Sequence, residues 1–121
     1  MSTIEFSAMV AALVKPGANI AEALTAEEAG AWHAATGVSG EAGELLDAIK
    51  KYVVYRKPLD RTNVVEELGD LEFYMEALRQ ELKISREETL VHCQNKLSIR
   101  YANGYSDKAA QDRADKVGEN A

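Results

Sequence analysis

Apolar residues return along this chain every three or four positions, a rhythm that predicts helices almost from end to end. Ile4, Phe6, Met9, Val10, Leu13 and Val14 mark a short amphipathic helix over 3–14, which Pro16 and Gly17 terminate. A looser segment, 15–24, follows. Thr25 with Glu28 three residues on reads as a capping box, the hydroxyl accepting from a first-turn N–H while the glutamate reaches back. A long helix should run from there to about Arg56, stopping ahead of Lys57 and Pro58, because the residue before a proline is driven out of the helical region. Asp60 or Asn63 can cap the next helix, which continues to Leu82 or Lys83. Ser85 and Glu88 form a second capping box, opening a helix to about Tyr101 that Asn103 and Gly104 end. The polar, alanine-rich stretch 106–121 is expected as a short helix or as partly disordered chain.

The stripes also predict how the two longest helices meet. Val38, Ala42, Leu45, Ile49 and Tyr52 recur at spacings of 4, 3, 4 and 3, and Val64, Leu68, Leu71, Met75, Leu78 and Leu82 follow the same alternation. This is the seam of helices packed lengthwise. A short connection makes such helices antiparallel neighbours. Two acidic pairs sit one position ahead of stripe residues: Glu41 and Glu44 before Ala42 and Leu45, Glu67 and Asp70 before Leu68 and Leu71. Residues three apart share a helix face, so each pair is a small two-carboxylate surface. Like flanks face each other across an antiparallel seam, so the four carboxylates are expected to converge at one edge of a helical hairpin.

Composition narrows the class. At 121 residues, 46% hydrophobic and 28% charged, the chain is expected to form one soluble domain with one compact core. The fold class is all-α: prolines number only two, and Ala, Leu, Glu and Lys dominate the middle. The domain spans 1–121, with an N-terminal helix and loop over 1–24, the helices carrying the candidate chemistry over 25–102, and a polar tail over 103–121. A net charge of −6 leaves no broad basic surface for a nucleic-acid polymer. One cysteine, Cys93, excludes an intrachain disulfide and fits a reducing compartment. No signal-like N-terminus and no membrane-length apolar stretch are present, so a cytoplasmic protein without membrane contact is expected.

Converging carboxylates either rise in pKa or take a counter-charge. Hard oxygen ligands without a nearby histidine favour Mg²⁺, Mn²⁺ or Ca²⁺ over zinc or copper. A single acidic pair in an acidic helical protein is best read as solvated; two matched pairs on matching flanks favour a metal site. Lys96 and Arg100, four apart on one helix face, could hold a polyphosphate, and Lys50, Lys51, Lys57 and Arg61 near the inter-helix loop are weaker candidates. His33 and His92 lack zinc-type spacing and read as surface or core residues, while Trp32 reads as packing. Cys93 reads as a small packed hydrophobe. Gly37, Gly40 and Gly43 each cost a helix ~1 kcal/mol relative to alanine, which suggests a close approach, by a second subunit's helix or as local flexibility.

Three runs together carry a resemblance: GEAGELLDAIK at 40–50, EELGD at 66–70 and KLSIRY at 96–101. The pattern Glu-x-x-Glu followed by Glu-x-x-Asp, with 22 residues between Glu44 and Glu67, resembles the MazG-like members of the all-α nucleoside triphosphate pyrophosphohydrolase superfamily over roughly 30–113. The resemblance implies a four-helix-type bundle with antiparallel core helices, assembled as a homo-oligomer, dimer or tetramer. It implies Mg²⁺, or Mn²⁺, held by Glu41, Glu44, Glu67 and Asp70 as the catalytic acids, with one of them or Glu66 orienting the attacking water. Lys96 and Arg100 would hold phosphates, with Asn95 and Tyr101 of the same run as further substrate contacts. The implied reaction splits a nucleoside triphosphate into monophosphate and pyrophosphate, in nucleotide-pool house-cleaning. One departure stands out: where relatives often place an asparagine one turn before the lysine, this chain has Cys93. The stretch from Gly104 to Arg113 also looks family-like, as a lid or partner-subunit contact. Rival readings are a non-catalytic helical interaction module and a related enzyme acting on an alarmone or other nucleotide. A di-iron carboxylate bundle is disfavoured because it needs Glu-x-x-His pairs that this chain lacks.

Overall fold

A computed structural model describes residues 3–117, so what was expected of 1–2 and of the tail at 118–121 lies outside the described residues. The regular elements are all helical: α1 (Thr3–Leu13), α2 (Gly17–Ala23), α3 (Ala26–Val53), α4 (Arg61–Leu82), α5 (Arg86–Arg100), α6 (Asp107–Asp112) and a 3-10 turn at Ala114–Lys116. The all-α expectation holds, and the short-helix alternative is the one found at 107–112.

Helix starts follow their caps. Thr25 Oγ1 accepts from the Glu28 amide and Glu28 Oε1 accepts from the Thr25 amide, both at 3.1 Å, completing the capping box of α3. Asp60, rather than Asn63, caps α4, its Oδ1 accepting from the Asn63 amide at 3.1 Å. Ser85 caps α5 through the Glu88 amide at 2.9 Å, while no return bond from the Glu88 side chain accompanies it. The segment read as loose holds α2, because after Pro16 and Gly17 its remaining residues are mostly good helix formers.

Helix ends differ by a turn at most. α3 stops at Val53, three residues short of the expected Arg56, which is itself left-handed at φ 57°. Lys83, at φ 58°, closes α4 in a Schellman arrangement: the Ile84 amide donates to the Arg79 carbonyl at 2.9 Å and the Lys83 amide to Gln80 at 3.3 Å.

α3 and α4 pack along their lengths. Gly30 lies against Glu81, Gly37 against Tyr74, and Glu41 beside Glu67 and Asp70. The partners run in opposite order, so the pair is an antiparallel hairpin. Its seam differs from the expected one by a helix rotation. On α3 Ala34 and Ala48 are buried and Gly30, Gly37 and Glu41 lie against α4, with Val38, Leu45 and Ile49 half-buried at their side; on α4 the inward residues include Val64, Glu67, Asp70, Leu71, Tyr74 and Leu78. Small residues win the seam on α3 because they let the two backbones approach, which larger side chains would forbid. The expected stripe of Val38, Leu45, Ile49, Leu71, Met75 and Leu78 is only half-buried, and its members Ala42, Leu68, Tyr52 and Leu82 are exposed.

A compact core inside one chain was expected, and the structure corrects this. Among the described residues only Ala34 and Ala48 are buried apolar residues, and Glu67 is buried with them. α5 packs against α6 and the 3-10 turn. Its half-buried residues are Lys96 and Arg100, while Leu90, Val91, Leu97 and Ile99 face outward. No described helix is long and apolar enough to cross a membrane.

Candidate functional site

The acidic residues lie in the hairpin seam itself, not beside it. One carboxylate oxygen each from Glu41, Glu67 and Asp70 falls within 4.8 Å of the others, an arrangement that could hold a metal ion. Glu41 comes from the middle of α3; Glu67 and Asp70 occupy successive turns of α4, whose antiparallel pairing sets them opposite. Glu67 is buried, and Glu41 and Asp70 are half-buried. Glu44, one turn beyond Glu41, is exposed and stands outside this trio, yet its charge still acts on Glu67.

Glu67 is the most perturbed group. Its Oε2 is buried without a hydrogen-bond partner, although buried polar atoms almost always have one. Its pKa is pushed up from 4.5 to about 7. The largest cause is the bond its protonated form shares with Glu41; burial follows, then the negative charges of Glu41, Asp70 and Glu44. A proton shared between two carboxylates is what remains when no cation is supplied. The donor set is all carboxylate oxygen, in the shielded setting that suits a hard divalent ion. The residues therefore fit a metal.

The sign of the pH dependence follows. Between about 4.5 and 7 the folded chain keeps a proton on Glu67 that the unfolded chain has released. Metal-free stability should therefore fall as pH rises through that window, and level off above it. A divalent ion replaces that proton, so its binding should tighten over the same range. Thermal melts at pH 5.5 and pH 8, with and without Mg²⁺, are expected to give the larger metal-induced rise at pH 8. At an ion concentration 100-fold over the dissociation constant the gain is ~2.7 kcal/mol. Equal shifts at both pH values would speak against Glu67 as a ligand.

The cationic candidates occupy a different part of the chain. Lys96 lines a cavity of about 160 Å³ with His92, Asn95, Ile99, Asp115 and Lys116. Arg100 is engaged: its Nε donates to Asp115 Oδ1 at 2.6 Å and a terminal nitrogen donates to Oδ2 at 3.1 Å. The two side chains are 16% and 4% exposed, so solvent screens this pair little. Asp115 holds the guanidinium above its ordinary pKa, and Arg100 holds the Asp115 carboxyl below the usual range. Tyr101 packs its ring on Tyr105 at 5.6 Å between centroids. The interior of the hairpin brings the acids together; α5 carries Asn95, Lys96, Arg100 and Tyr101 with the C-terminal segment.

The remaining candidates sort by contact. Lys51 pairs with Asp47 at 2.9 Å on the surface, and Lys50 lies over the Tyr55 ring. His33 meets Tyr74 edge-on at 6.1 Å, while Trp32 is exposed instead of packed. Cys93, expected to pack, is exposed too. The close approach expected at the glycines is real at Gly37 and comes from Tyr74 of the same chain, whereas Gly40 and Gly43 have nothing within 4 Å. Sequence reasoning missed Tyr74, Asp115 and Lys116. The spacing of Ala34, Gly37, Glu41 and Ala48 held a signal for the first; nothing local marks Asp115 as the partner of a residue fifteen positions earlier.

No curated protein and no solved structure matches the chain. The family model of the MazG nucleotide pyrophosphohydrolase domain matches residues 33–104, from within α3 to just beyond the end of α5. That span covers more than half of the sequence and both halves of the acidic cluster, and the chain belongs to the MazG nucleotide pyrophosphohydrolase family.

Proposed function

We propose that this chain is a Mg²⁺-dependent nucleoside triphosphate pyrophosphohydrolase that releases monophosphate and pyrophosphate. The observation that carries this reading is the buried Glu67 carboxylate, whose Oε2 has no hydrogen-bond partner, held against Glu41 and Asp70. Family membership implies the reaction class; the cluster supplies a reason for a metal. Glu41, Glu67 and Asp70 would hold the ion, with Mn²⁺ the nearest substitute. A bound divalent ion of this kind neutralises phosphate charge and lowers the pKa of water. Water adds to one phosphorus of the α–β anhydride as the bridging P–O bond breaks, and the proton it loses passes to a carboxylate. Glu44 and Glu66, both exposed beside the cluster, are the acids outside the trio that could take it. Lys96 and Asn95 of α5 would meet the phosphates. A house-cleaning role in the cytoplasm fits the reducing environment that a single exposed thiol tolerates.

The working form is a homo-oligomer in this reading, with helices 25–102 supplying the catalytic bundle. Phe73, Leu68, Leu46, Leu97 and Ile99 are all exposed, and an apolar groove of about 300 Å³ lined by Ala35, Val38, Met75, Leu78, Leu82 and Ile84 runs along the hairpin. Apolar exposure on that scale marks a surface that something covers. A second copy would complete four helices around it.

Incubation with a nucleotide panel and Mg²⁺ should release pyrophosphate from at least one substrate, and chelation should stop it. A folded protein that yields pyrophosphate from none would refute the assignment. Sedimentation at micromolar concentration is expected to show no monomer.

A further inference from the structure

We propose that the cavity at the open end of the hairpin is a nucleobase pocket, and that Glu81 makes it selective for guanine. The inference rests on the pyrophosphohydrolase reading for the phosphates and names the base that goes with them.

The cavity measures about 400 Å³, at the lower end of the ~300–1,000 Å³ usual for small-molecule sites, a size that suits a base with its sugar. Gly30 and His33 of α3 line it, with Phe73, Tyr74, Gln80 and Glu81 of α4. Gly30, Ala34, Gly37 and Glu41 recur at spacings of 4, 3 and 4, as do Asp70, Tyr74, Ala77 and Glu81. The cavity therefore continues the seam that holds the acidic trio. At 1.5 Å per residue it begins ~6 Å from Asp70, at Tyr74, and ends ~16 Å away, at Glu81. A nucleoside, with bonds of ~1.4 Å, reaches on the order of 10 Å from its α-phosphorus to the edge of its base. An α-phosphate at the trio thus sets its base between Tyr74 and Glu81. The apolar groove uses the next residues round each helix, Ala35, Val38, Met75 and Leu78, and opens on another flank.

Glu81 is the group that the fold alone does not explain. It is half-buried, yet it makes no hydrogen bond or ion pair with any described residue. It stands in the last turn of α4, where the helix dipole disfavours an anion. Its carboxylate lies across Gly30, so that a Cβ there would collide with both oxygens. Glycine thereby seats the pair of acceptors at the cavity wall. Of the common bases, guanine alone places two N–H donors side by side on its Watson–Crick edge, which matches two parallel carboxylate oxygens. Adenine and cytosine set a lone pair beside their amino group, and uracil and thymine offer one N–H between two carbonyls. Gln80 gives its amide nitrogen to Glu76 at 3.3 Å and keeps its carbonyl oxygen as a further acceptor. Phe73 and His33 both stand edge-on to Tyr74, and Phe73 stays 67% exposed, a ring on which a base can stack.

Calorimetric titration of the full chain with GMP, IMP and AMP in Mg²⁺ reads the pocket without hydrolysis. GMP is expected to bind ~10-fold or more tighter than AMP, and ~5-fold or more tighter than IMP, which lacks the second donor and leaves a Glu81 oxygen unpaired. Glu81→Gln separates recognition from simple electrostatics by sign. If Glu81 only added negative charge, its removal would tighten all three nucleotides alike. As the reader of guanine, its loss weakens GMP by ~10-fold or more, while AMP holds or gains, because an amide accepts from N6 and donates to N1. Gly30→Ala displaces the flexible end of Glu81, so it should narrow the GMP-over-AMP preference by ~3-fold or more without lowering the melting temperature. Phe73→Ala should weaken GMP and AMP together, by ~5-fold.

Equal wild-type affinity for GMP and IMP, uniform tightening in Glu81→Gln, or no binding of any of the three would each overturn the proposal. If Glu81→Gln does not fold by circular dichroism, the wild-type GMP-to-IMP ratio and its change in Gly30→Ala decide. A chain that prefers GMP but releases no pyrophosphate from GTP keeps the pocket and loses the reaction. One that releases pyrophosphate from every nucleotide with no preference in binding keeps the reaction and loses the pocket.

Discussion

Replacing Glu67 by glutamine is expected to cut Mg²⁺-dependent pyrophosphate release by more than ~100-fold while leaving helicity intact, since loss even of an outer support to a metal ligand costs 10–100-fold. The same change should raise the melting temperature of the metal-free protein at pH 8. The two effects have one origin. Glu67 is buried, its Oε2 lacks a donor, and its carboxylate faces Glu41 and Asp70. A neutral amide removes the charge that burial and three like neighbours oppose, and its N–H can donate to Glu41. Without that charge the trio loses its central ligand. Melts with and without Mg²⁺, beside a pyrophosphate assay, test both halves. Full activity in the variant would move the metal elsewhere, and a lower metal-free melting temperature at pH 8 would mean that Glu67 does not carry the repulsion assigned to it.

Gly37→Ala is expected to be the most damaging small change in the hairpin. A Cβ there would lie 2.3–2.5 Å from three atoms of the Tyr74 ring, far inside van der Waals contact. Overpacking of this kind costs ~1–3 kcal/mol. The gain in helix propensity is ~1 kcal/mol, so the wedge wins or at best breaks even. A fall in melting temperature of roughly 5 °C is the expected reading for a domain of this size. Tyr74 lies one turn from Asp70, so the wedge should also loosen the acidic trio and weaken cation binding. Gly43→Ala is the contrast. Apart from its own helix, no described residue comes within 4 Å of a Cβ added there, so the substitution should stabilise the isolated chain. A loss there instead would reveal a neighbouring subunit's backbone.

The helices were legible because their signals are local. Thr25 with Glu28, Asp60 and Ser85 mark starts through side chains three residues from the amides they satisfy. The acidic pairs were legible for the same reason: a three-residue spacing is itself a statement about one helix face. The rotation of the hairpin was not. On α3 the large apolar residues point to a seam through Val38, Leu45 and Ile49, but the closest approach belongs to Gly30, Ala34, Gly37 and Ala48. Bulk marks where burial is most favourable once every partner is present; smallness marks where two backbones come nearest. A single chain satisfies the second demand and leaves much of the first exposed. The partner of Arg100 was hidden for a related reason. Its spacing from Lys96 places both on one face, yet its partner comes from a turn fifteen residues on, a contact that no periodicity announces.

The seven-residue link 54–60 joins the two rods and carries none of the clustered oxygens. Because the pairing of α3 with α4 sets the level at which Glu41 meets Glu67 and Asp70, extra residues in that link would bulge outward and leave the meeting point in place. One residue inserted between Gly37 and Glu41 has the opposite result. It would turn everything beyond it by about 100° around the rod and carry the carboxylate off the shared face. Length variation is therefore tolerable at the bend and ruinous within the rods, even where the inserted side chain touches nothing.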